Sequence, residues 1–326
     1  MSAVRAIVVG AGVFGRNHAR AITALPDVQL SAIVDTDFSR AQALAQEFDS
    51  HAFSSVDQII GRAEAAIVAT PTSTHEMVAG QLLEAGMDVL VEKPIADTSE
   101  AGERLAQLAE RHGRILQVGH LERFNPAVMA LEQVLTIPLF FEVHRLSVFT
   151  PRSLDVDVVL DLMIHDLDIV LNFTQEMPEE IRAAGISVLS QRVDIANVRL
   201  AFPSGCIANL TASRVSTEKV RKLRVFQPRQ YISLDYQRQD AVSVAVKSGN
   251  AMLPGIGFEQ LPVERGEPLA LELRSFFACV RDRTTPRVTA GQASNALRVA
   301  EAILAKIREH GELVAETVRR RGTFPR

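Results

Sequence analysis

The first 121 residues alternate between short, almost wholly apolar runs and longer amphipathic segments. The apolar runs are rich in β-branched residues and read AIVVG (6–10), LSAIVD (30–35), AAIVAT (65–70), DVLVEKP (88–94) and ILQVGHL (115–121). Two of the helical patterns between them end at Gly86 and Gly113, a residue type that commonly terminates helices. Strands that are apolar throughout are typical of a parallel sheet covered on both faces, which right-handed crossovers make doubly wound.

The pattern changes in the rest of the chain. Strand-like runs follow one another with short connections, and residues 203–205 form a predicted hairpin turn between residues 197–202 and 206–215. Such runs favour an antiparallel or mixed sheet. Helical patterns at residues 269–282 and 294–310 close the chain.

Composition excludes several classes of partner. The 326 residues carry a net charge of −4 and give a pI near 6.1, so nucleic acid and anionic membranes are unfavourable partners. Cys206 and Cys279 fit no metal-binding spacing, and we expect both to be small buried residues without a metal site. Because the sequence lacks an apolar run of about 18 residues, we expect no membrane span and a cytoplasmic location.

A glycine-rich turn joins the first apolar run to the first helical pattern. The segment AIVVGAGVFGRNHAR places Gly10, Gly12 and Gly15 as G-x-G-x-x-G between a strand and a helix. The first glycine permits a tight turn, the second lets the backbone approach a pyrophosphate, and the third allows close packing of helix on strand. We predict a dinucleotide site that also includes Val13 and Phe14.

The end of the second apolar run indicates which dinucleotide binds. Asp35 lies 20 residues after Gly15, where a carboxylate accepts hydrogen bonds from a ribose and repels a 2′-phosphate. Residues 36–38 bring no arginine or lysine, and Arg40 is the nearest cation. The sequence therefore favours NAD over NADP.

Two further strand ends extend the predicted site, because ligands of such sheets lie beyond the carboxyl ends of the strands. His75 is either a cofactor contact or an exposed polar residue at the start of its helix. Lys93 precedes a proline, which forces extended backbone and directs the ammonium toward the nicotinamide. The remaining predicted cofactor contacts are Thr70, Pro71, Thr72 and Glu92.

The apolar segment DVDVVLDLMIHDLDIVLNF (155–173) carries an unusual number of acids. If it is a helix, one stripe contains Asp157, Asp161, His165, Asp168 and Asn172, and Asp155 lies at the amino cap. Because nearly all other positions are apolar, the stripe faces either water or a polar cavity. Asp161 lies one predicted turn from His165 and can orient its imidazole.

The ordered motifs VVGAGVFGRNHAR, ATPTSTH, EKP, DLMIH and AFPSGCIANL resemble the Gfo/Idh/MocA family of oxidoreductases over nearly the whole chain. The resemblance implies a Rossmann domain over residues 1–121. It implies a substrate-binding and oligomerisation α+β domain over residues 122–326, with a large open, mostly antiparallel sheet. It further implies a homodimer or homotetramer, and hydride transfer between a nicotinamide cofactor and a sugar or polyol hydroxyl.

Within the family, residues 118–128 and 155–171 resemble the sugar-nucleotide branch. Members of this branch oxidise the 3-hydroxyl of UDP-N-acetylglucosamine or its uronic acid. The resemblance implies that the 3-keto product passes to an aminotransferase and serves lipid A synthesis. Val158, Val159 and Leu160 stand where many family members have glycines, which weakens any comparison with inositol dehydrogenases.

The expected chemistry is the removal of a hydroxyl proton as hydride leaves the same carbon. Imidazole has a pKa of about 6.5 and the lysine ammonium one of about 10.4, so His165 is the more suitable base. Lys93 then stabilises the developing alkoxide, although the reverse assignment stays open. Arg123 and Asn125 are predicted substrate contacts, and Glu122 is a further candidate.

Two other functions fit the same sequence. One is a dehydrogenase for a free sugar or polyol such as myo-inositol, which would leave Arg123 without a phosphate partner. The other is a non-catalytic NAD-binding regulator, which the presence of Lys93, Asp161 and His165 disfavours.

Overall fold

The structure, a computed structural model, describes residues 3–150, 156–247 and 255–321. The chain forms two compact units. The first contains Met1–Phe124 and Gly266–Leu297, and the second contains Asn125–Arg265 and Arg298–Arg326. This division differs from the single boundary after residue 121, because a later segment returns to the first unit.

The first unit contains a six-stranded parallel sheet in the order β3-β2-β1-β4-β5-β6. Its strands are β1 (Val4–Val9), β2 (Val28–Val34), β3 (His51–Phe53), β4 (Ala65–Val68), β5 (Asp88–Glu92) and β6 (Leu116–Gly119). The connecting helices are α1 (Val13–Thr23), α2 (Phe38–Glu47), α3 (His75–Glu84) and α4 (Ser99–Arg111). The doubly wound fold is confirmed.

The strands of this sheet are apolar in sequence because most of their residues are buried. Val8, Ile67 and Leu90 are fully buried on the central strands, which explains why those runs are apolar throughout. The short edge strand β3 was missed because its residues are exposed or half-buried and carry no apolar run. Gly86 and Gly113 have φ values of 83° and 60°, so both helix-terminating glycines are confirmed.

Helix α7 (Pro268–Asp282) belongs to the first unit. Its buried Phe276 and Phe277 pack into the same apolar cluster as Ile22 of α1. An ion pair between Arg281 and Asp27 reinforces this contact at the surface. Amphipathic periodicity predicts such a helix but does not indicate which core it covers.

The second unit contains an eight-stranded sheet in the order β14-β13-β12-β11-β7-β10-β9-β8. Its strands are β7 (Phe140–Val148), β8 (Glu180–Ile186), β9 (Ile195–Ala201), β10 (Ile207–Ser216), β11 (Val220–Gln227), β12 (Gln230–Asp235), β13 (Asp240–Lys247) and β14 (Gly255–Gln260). Only β7 and β10 pair in parallel among the described strands of this sheet. The predicted hairpin is confirmed, with Gly205 at φ 87° in its turn.

One face of this sheet forms the second core. Buried Phe141, Val143 and Leu210 pack in one cluster with Ile169 and Ile303. These last two lie on helices α6 (Ile164–Thr174) and α8 (Ala290–Arg321), and α5 (Pro126–Val134) covers the same face. Cys206 and Cys279 are buried in the second and first units, as predicted. Within the described part of the chain, no helix combines the length and apolar character needed to cross a membrane.

The opposite face of the sheet presents a row of apolar side chains in register across five strands. The row consists of Phe140, Phe226, Tyr231, Val244 and Phe258. Phe140 contacts Phe226 edge-on, and Tyr231 stacks on Phe226 at a centroid distance of 5.4 Å. Phe258 at the edge is 74% exposed.

Candidate active site

The turn between β1 and α1 needs glycine at two positions for steric reasons. Gly10 has φ 104°, and a Cβ added there would lie 2.5 Å from the carbonyl oxygen of Ala69. A Cβ on Gly15 would lie 1.8 Å from the carbonyl oxygen of Gly10. Both positions therefore require glycine so that the helix, the turn and β4 can pack at this distance.

Gly12 has a different reason to be glycine. A Cβ at this position would meet no described atom within 4 Å, so the space above the turn is open. Gly12 is also the amino cap of α1, and no described side chain caps this helix. The amide groups of the first turn are thus available to an anion, and Val13 and Phe14 beside them are 70% and 60% exposed.

A cleft of about 610 Å³ lies at the carboxyl ends of the strands. The predicted residues that line it are Gly10, Gly12, Val13, Phe14, Asp35, Thr70 and Pro71. Arg40, the nearest cation to Asp35 in sequence, also lines the cleft, and lining residues that were not predicted include Ser54, Ser55, Met77 and Gln81. The two serines directly follow β3. Because this edge strand was not predicted, the wall of the cleft that the serines form was not predicted either. The size and the donors of the cleft fit a dinucleotide.

Asp35 directly follows β2 and its carboxylate is held by the backbone. Oδ2 accepts a hydrogen bond from the Ala11 amide at 2.7 Å, and Oδ1 accepts one from the Asp37 amide at 2.9 Å. Arg40 also lines the cleft, but its Nε lies 3.2 Å from the Asp37 carboxylate. The adenosine end of the cleft is therefore acidic, which suits a ribose and disfavours a 2′-phosphate.

His75 is buried rather than exposed, with 1% of its surface accessible. Its Nδ1 lies 2.9 Å from the carbonyl oxygen of Pro94, and its Nε2 lies 2.9 Å from that of Thr70. Both ring nitrogens therefore face backbone carbonyl oxygens, which only accept hydrogen bonds. His75 thus joins two strand-end loops, although it does not line the cleft itself. Thr72 lies in the short 3₁₀ turn Thr72–Thr74 next to this connection.

Glu92 and Lys93 end β5, and the peptide bond between Lys93 and Pro94 is cis. The Glu92 Oε1 lies 2.6 Å from His18 Nε2, and its Oε2 accepts from the Lys93 amide at 3.3 Å. Burial alone would raise the pKa of Glu92, but the His18 hydrogen bond and the charges of His18 and Lys93 lower it overall. Glu92 is therefore ionised at neutral pH.

Glu122 and Arg123 lie in the 3₁₀ turn Leu121–Phe124 and are buried. Arg123 Nη2 donates to the carbonyl oxygen of Arg287 at 3.1 Å, and Arg287 Nε donates to that of Arg123 at 3.0 Å. The Arg287 guanidinium also lies over the Phe124 ring. Arg123 therefore supports the fold of the first unit, and its role toward a substrate stays a prediction.

Asn125 also has a structural role, in the second unit. Its Oδ1 accepts from the Ala127 amide at 3.1 Å and so caps α5. Its Nδ2 donates to the carbonyl oxygen of Tyr236 at 3.0 Å. Both ends of the amide are engaged within the protein, so substrate contact by Asn125 likewise stays a prediction.

The acidic segment of the second unit is not a uniform α-helix. Residues Val159–Met163 form a π-helical turn, closed by a bond from the Ile164 amide to the Val159 carbonyl, and α6 begins only at Ile164. A π-turn accommodates an extra residue and rotates the residues before it relative to those after it. The segment is therefore not the uniform α-helix that the predicted stripe assumed, and the role of Asp161 toward His165 stays a prediction. Both side chains are half-buried.

Two other acids of this segment, Asp157 and Asp166, bind the protein itself. Asp157 Oδ1 accepts from the Val193 amide at 2.9 Å. Asp166, which lies off the predicted stripe, forms a buried pair with Arg145 through contacts of 2.6 and 2.8 Å. Asp168 is 2% exposed. Asp155, the predicted cap, lies outside the described residues. Asp157 and Asp166 therefore bind groups of the protein itself, and Asp161 and His165 are the half-buried candidates for chemistry.

A loop that sequence reasoning missed holds the start of this segment. Asp194 accepts from the amides of Val188, Leu189 and Ser190 at 2.7, 2.6 and 2.9 Å, and from the Ser190 hydroxyl at 2.6 Å. Burial would raise the pKa of Asp194, but these hydrogen bonds lower it to about 2. The neighbouring Val193 carbonyl accepts from the Val158 amide at 3.0 Å, which ties this loop to the π-turn.

Comparison with known proteins identifies the family. Residues 4–120 match the oxidoreductase family model with an NAD-binding Rossmann fold, and residues 138–232 match the Gfo/Idh/MocA carboxyl-terminal domain. A UDP-N-acetylglucosamine 3-dehydrogenase of Acidithiobacillus ferrooxidans is 36% identical, over 85% of this chain and 88% of the relative. The chain belongs to the Gfo/Idh/MocA oxidoreductase family. It is therefore an NAD-dependent oxidoreductase acting on a CH–OH group.

Solved structures and a second group of relatives agree with this assignment. The structure of a UDP-N-acetylglucosamine 3-dehydrogenase from Acidithiobacillus ferrooxidans has a TM-score of 0.89 and 32% identity, covering 95% of this chain and 99% of that one. An inositol 2-dehydrogenase of Rhizobium meliloti is 24% identical over 95% of this chain and 98% of the relative. The glycine turn, the acidic strand end and the cleft of the first unit fit the NAD that the family binds.

Proposed function

We propose that the protein oxidises the 3-hydroxyl of a UDP-N-acetylhexosamine, most simply UDP-N-acetylglucosamine, to a 3-keto sugar nucleotide. The observation that carries this proposal is the similarity to a 3-dehydrogenase for that sugar nucleotide over most of both chains. The valines in front of Asp161 support it as well. Val158 and Val159 are fully buried and fill the second core, so this segment packs differently from one with glycines there.

NAD, when bound, accepts the hydride that leaves the substrate carbon. We propose that His165 removes the hydroxyl proton and that Lys93 hydrogen-bonds to the same oxygen as negative charge develops on it. Asp161 orients the imidazole or binds a neighbouring hydroxyl. The half-burial of Asp161 and His165 supports this, because the side chains retain access to a ligand while part of their surface is fixed by packing.

A free sugar or polyol dehydrogenase is the second candidate, because inositol dehydrogenases are also among the relatives. Turnover is measured by NADH absorbance with UDP-N-acetylglucosamine, its uronic acid and myo-inositol. An aminotransferase with its amino donor is added to remove a 3-keto product. The proposal requires UDP-N-acetylglucosamine to be the best substrate. Preference for myo-inositol would replace it with the second candidate, and NAD binding without turnover of any sugar would indicate a regulator.

Single substitutions test the proposed chemistry. Lys93→Ala and His165→Ala should each lower kcat at least about 100-fold while NAD still binds, because each removes a group that acts on the reacting oxygen. His112→Ala and Lys306→Ala are matched controls, since both side chains are exposed and lie at the end of α4 and on α8, outside the cleft and the open sheet. If either active-site variant kept its turnover, the role assigned to that residue would be withdrawn.

We further propose that two copies of the chain pair through the open face of the second sheet. The apolar row from Phe140 to Phe258 leaves a large ring exposed at the sheet edge, and a two-fold interface would bury it against its own copy. Phe258→Glu is expected to shift the mass in solution from dimer or tetramer to monomer, as measured by light scattering.

The biological setting is also proposed. A 3-keto sugar nucleotide is a substrate for an aminotransferase, and the 3-amino sugar that results would serve lipid A synthesis. Because NAD and nucleotide sugars are cytoplasmic metabolites, we place the reaction in the cytoplasm. Loss of the 3-amino sugar from lipid A in a deletion strain would be the corresponding result in cells.

A further inference from the structure

The adenosine end of the cleft contains a positively charged side chain as well as an acidic one. Among the described residues that line the cleft, Arg40 is the only lysine or arginine and Asp35 is the only acid. Asp35 suits a ribose and repels a 2′-phosphate. Arginine is the side chain that accommodates the 2′-phosphate of NADP, so its presence in a cleft that selects NAD needs an explanation.

The carboxylate of Asp37 engages this arginine. Its Oδ2 lies 3.2 Å from Arg40 Nε. Its Oδ1 accepts from the amides of Ser39 and Arg40 at 3.1 and 3.3 Å and so caps α2. Because the backbone fixes one oxygen of the carboxylate, the other oxygen meets the guanidinium from a defined position. Asp37 is not among the described residues that line the cleft, so it reaches a ligand there through Arg40.

Two hydroxyl groups that line the cleft are engaged in a similar way. Ser54 Oγ donates to Gln58 Oε1 at 3.4 Å, and Ser55 Oγ donates to Asp57 Oδ2 at 3.2 Å. A guanidinium and hydroxyl groups are the donors with which proteins bind phosphate oxygens. The cleft therefore contains donors suited to a 2′-phosphate, and acceptors of the chain itself engage them.

We propose that Asp37 is a positioning residue for cofactor choice, which holds Arg40 in an ion pair and so keeps its guanidinium from a 2′-phosphate. The protein then selects NAD in two ways, through the charge of Asp35 in the cleft and through the capture of Arg40. Once Asp37 loses its charge, Arg40 can bind the 2′-phosphate of NADP. The inference concerns the cofactor and does not depend on which sugar is oxidised.

The expected effect of Asp37 is modest, because the ion pair lies at the surface. The side chains of Arg40 and Asp37 are 69% and 50% exposed. Water screens such a pair, so its loss changes an equilibrium by about 5-fold at most. Asp35 itself is expected to contribute more, and its charge is therefore removed before the effect of Asp37 is measured.

Direct repulsion between Asp37 and the phosphate predicts a different outcome. A carboxylate repels a nearby phosphate whether or not an arginine is present. Removal of the Asp37 charge would then favour NADP to the same extent with and without Arg40. Under the proposal the gain requires Arg40, so the effects of the two substitutions are not additive.

The test measures the Kd values of NADP and NAD by calorimetry, because these two ligands differ only by the 2′-phosphate. All variants carry Asp35→Asn, which removes the repelling charge and keeps an oxygen acceptor. Asp37→Asn retains the helix cap and should shift the ratio of the two Kd values about 3- to 5-fold in favour of NADP. Arg40→Met, combined with it, should abolish this shift. Glu47→Gln is the matched control, because it removes a negative charge at the other end of α2 that pairs with Arg16, and the ratio should not change.

The same comparison is made with Asp35 intact, where the shift should again require Arg40. A shift of equal size in the presence of Arg40→Met would mean direct repulsion and would overturn the inference. A ratio that Asp37→Asn leaves unchanged would overturn it as well. These results come from binding alone, so they decide the role of Asp37 even if the protein oxidised no sugar and the proposed function failed.

Discussion

The two units place their candidate functional groups by different physical means. In the first unit the glycine turn and the strand ends do so through backbone geometry, as the clash of a Gly15 Cβ with the Gly10 carbonyl shows. In the second unit the segment around His165 is set by contacts with residues distant in the chain, above all Arg145, which pairs with Asp166, and Val193, which binds Asp157 and Val158. Backbone geometry is local in sequence, whereas these contacts join residues far apart in the chain.

This difference has an energetic consequence. Arg145 and Asp166 are both about 2% exposed, so both charges are desolvated and each is compensated by the other. The Arg145 guanidinium also lies 5.0 Å from the Tyr236 ring centre. A single substitution at this pair therefore leaves a buried charge in the second unit without its partner.

The largest effect is expected at this pair. Arg145→Met leaves the Asp166 carboxylate buried without its cation and should lower the free energy of unfolding by about 3–5 kcal/mol. Denaturant unfolding, followed with a probe in the second unit, measures the loss. The double variant Arg145→Met with Asp166→Leu is the control, because it removes both charges and should regain most of the stability.

An equally stable single variant would show that the pair does not hold the second unit together. In that case side-chain contacts would not be what positions the segment around His165, and the proposed difference between the two units would not hold. NAD affinity should be unchanged in either variant, because the cleft is built from residues of the first unit.

The pH dependence of stability gives a second, smaller test. The pKa of Asp194 is lowered from 3.8 to about 2 in the folded protein, so its contribution is present above pH 3.8 and is lost as the pH falls toward 2. The shift corresponds to about 2.5 kcal/mol. Asp194→Asn should lower the free energy of unfolding by about that amount at pH 5, with the difference from the wild type vanishing near pH 2. A difference that stays constant over this range would contradict the role of the charge.

The sequence was most informative where burial and steric limits act within a few residues. The apolar runs predicted five of the six strands of the parallel sheet because those strands are buried, and the glycine spacing predicted the turn because a side chain there would meet backbone. The cofactor followed from Asp35, whose position at a strand end needs only local reasoning.

The errors arose where tertiary contacts decide the outcome. The polar stripe assumed 3.6 residues per turn, and a π-turn held by the loop at Asp194 changed that periodicity. The assignment of α7 to the second domain failed because its apolar face gives no indication of which sheet it covers. The cap that Asn125 provides to α5 was not predicted either, and its contact with a substrate stays a prediction.

The smallest effect is expected at His75, whose side chain joins two strand-end loops of the first unit. It binds the carbonyls of Thr70 and Pro94, so His75→Gln, which has its two N–H groups on one nitrogen, keeps at most one of these contacts. The loss of about 1 kcal/mol should raise the Kd for NAD about 5-fold, as measured by calorimetry. Glu76→Gln is the control, because Glu76 is the next residue on the same helix and pairs outward with Arg104. Unchanged affinity for NAD in His75→Gln would mean that backbone geometry alone holds the two loops. The first unit would then place its functional groups without side-chain contacts of this kind, and its difference from the second unit would be larger.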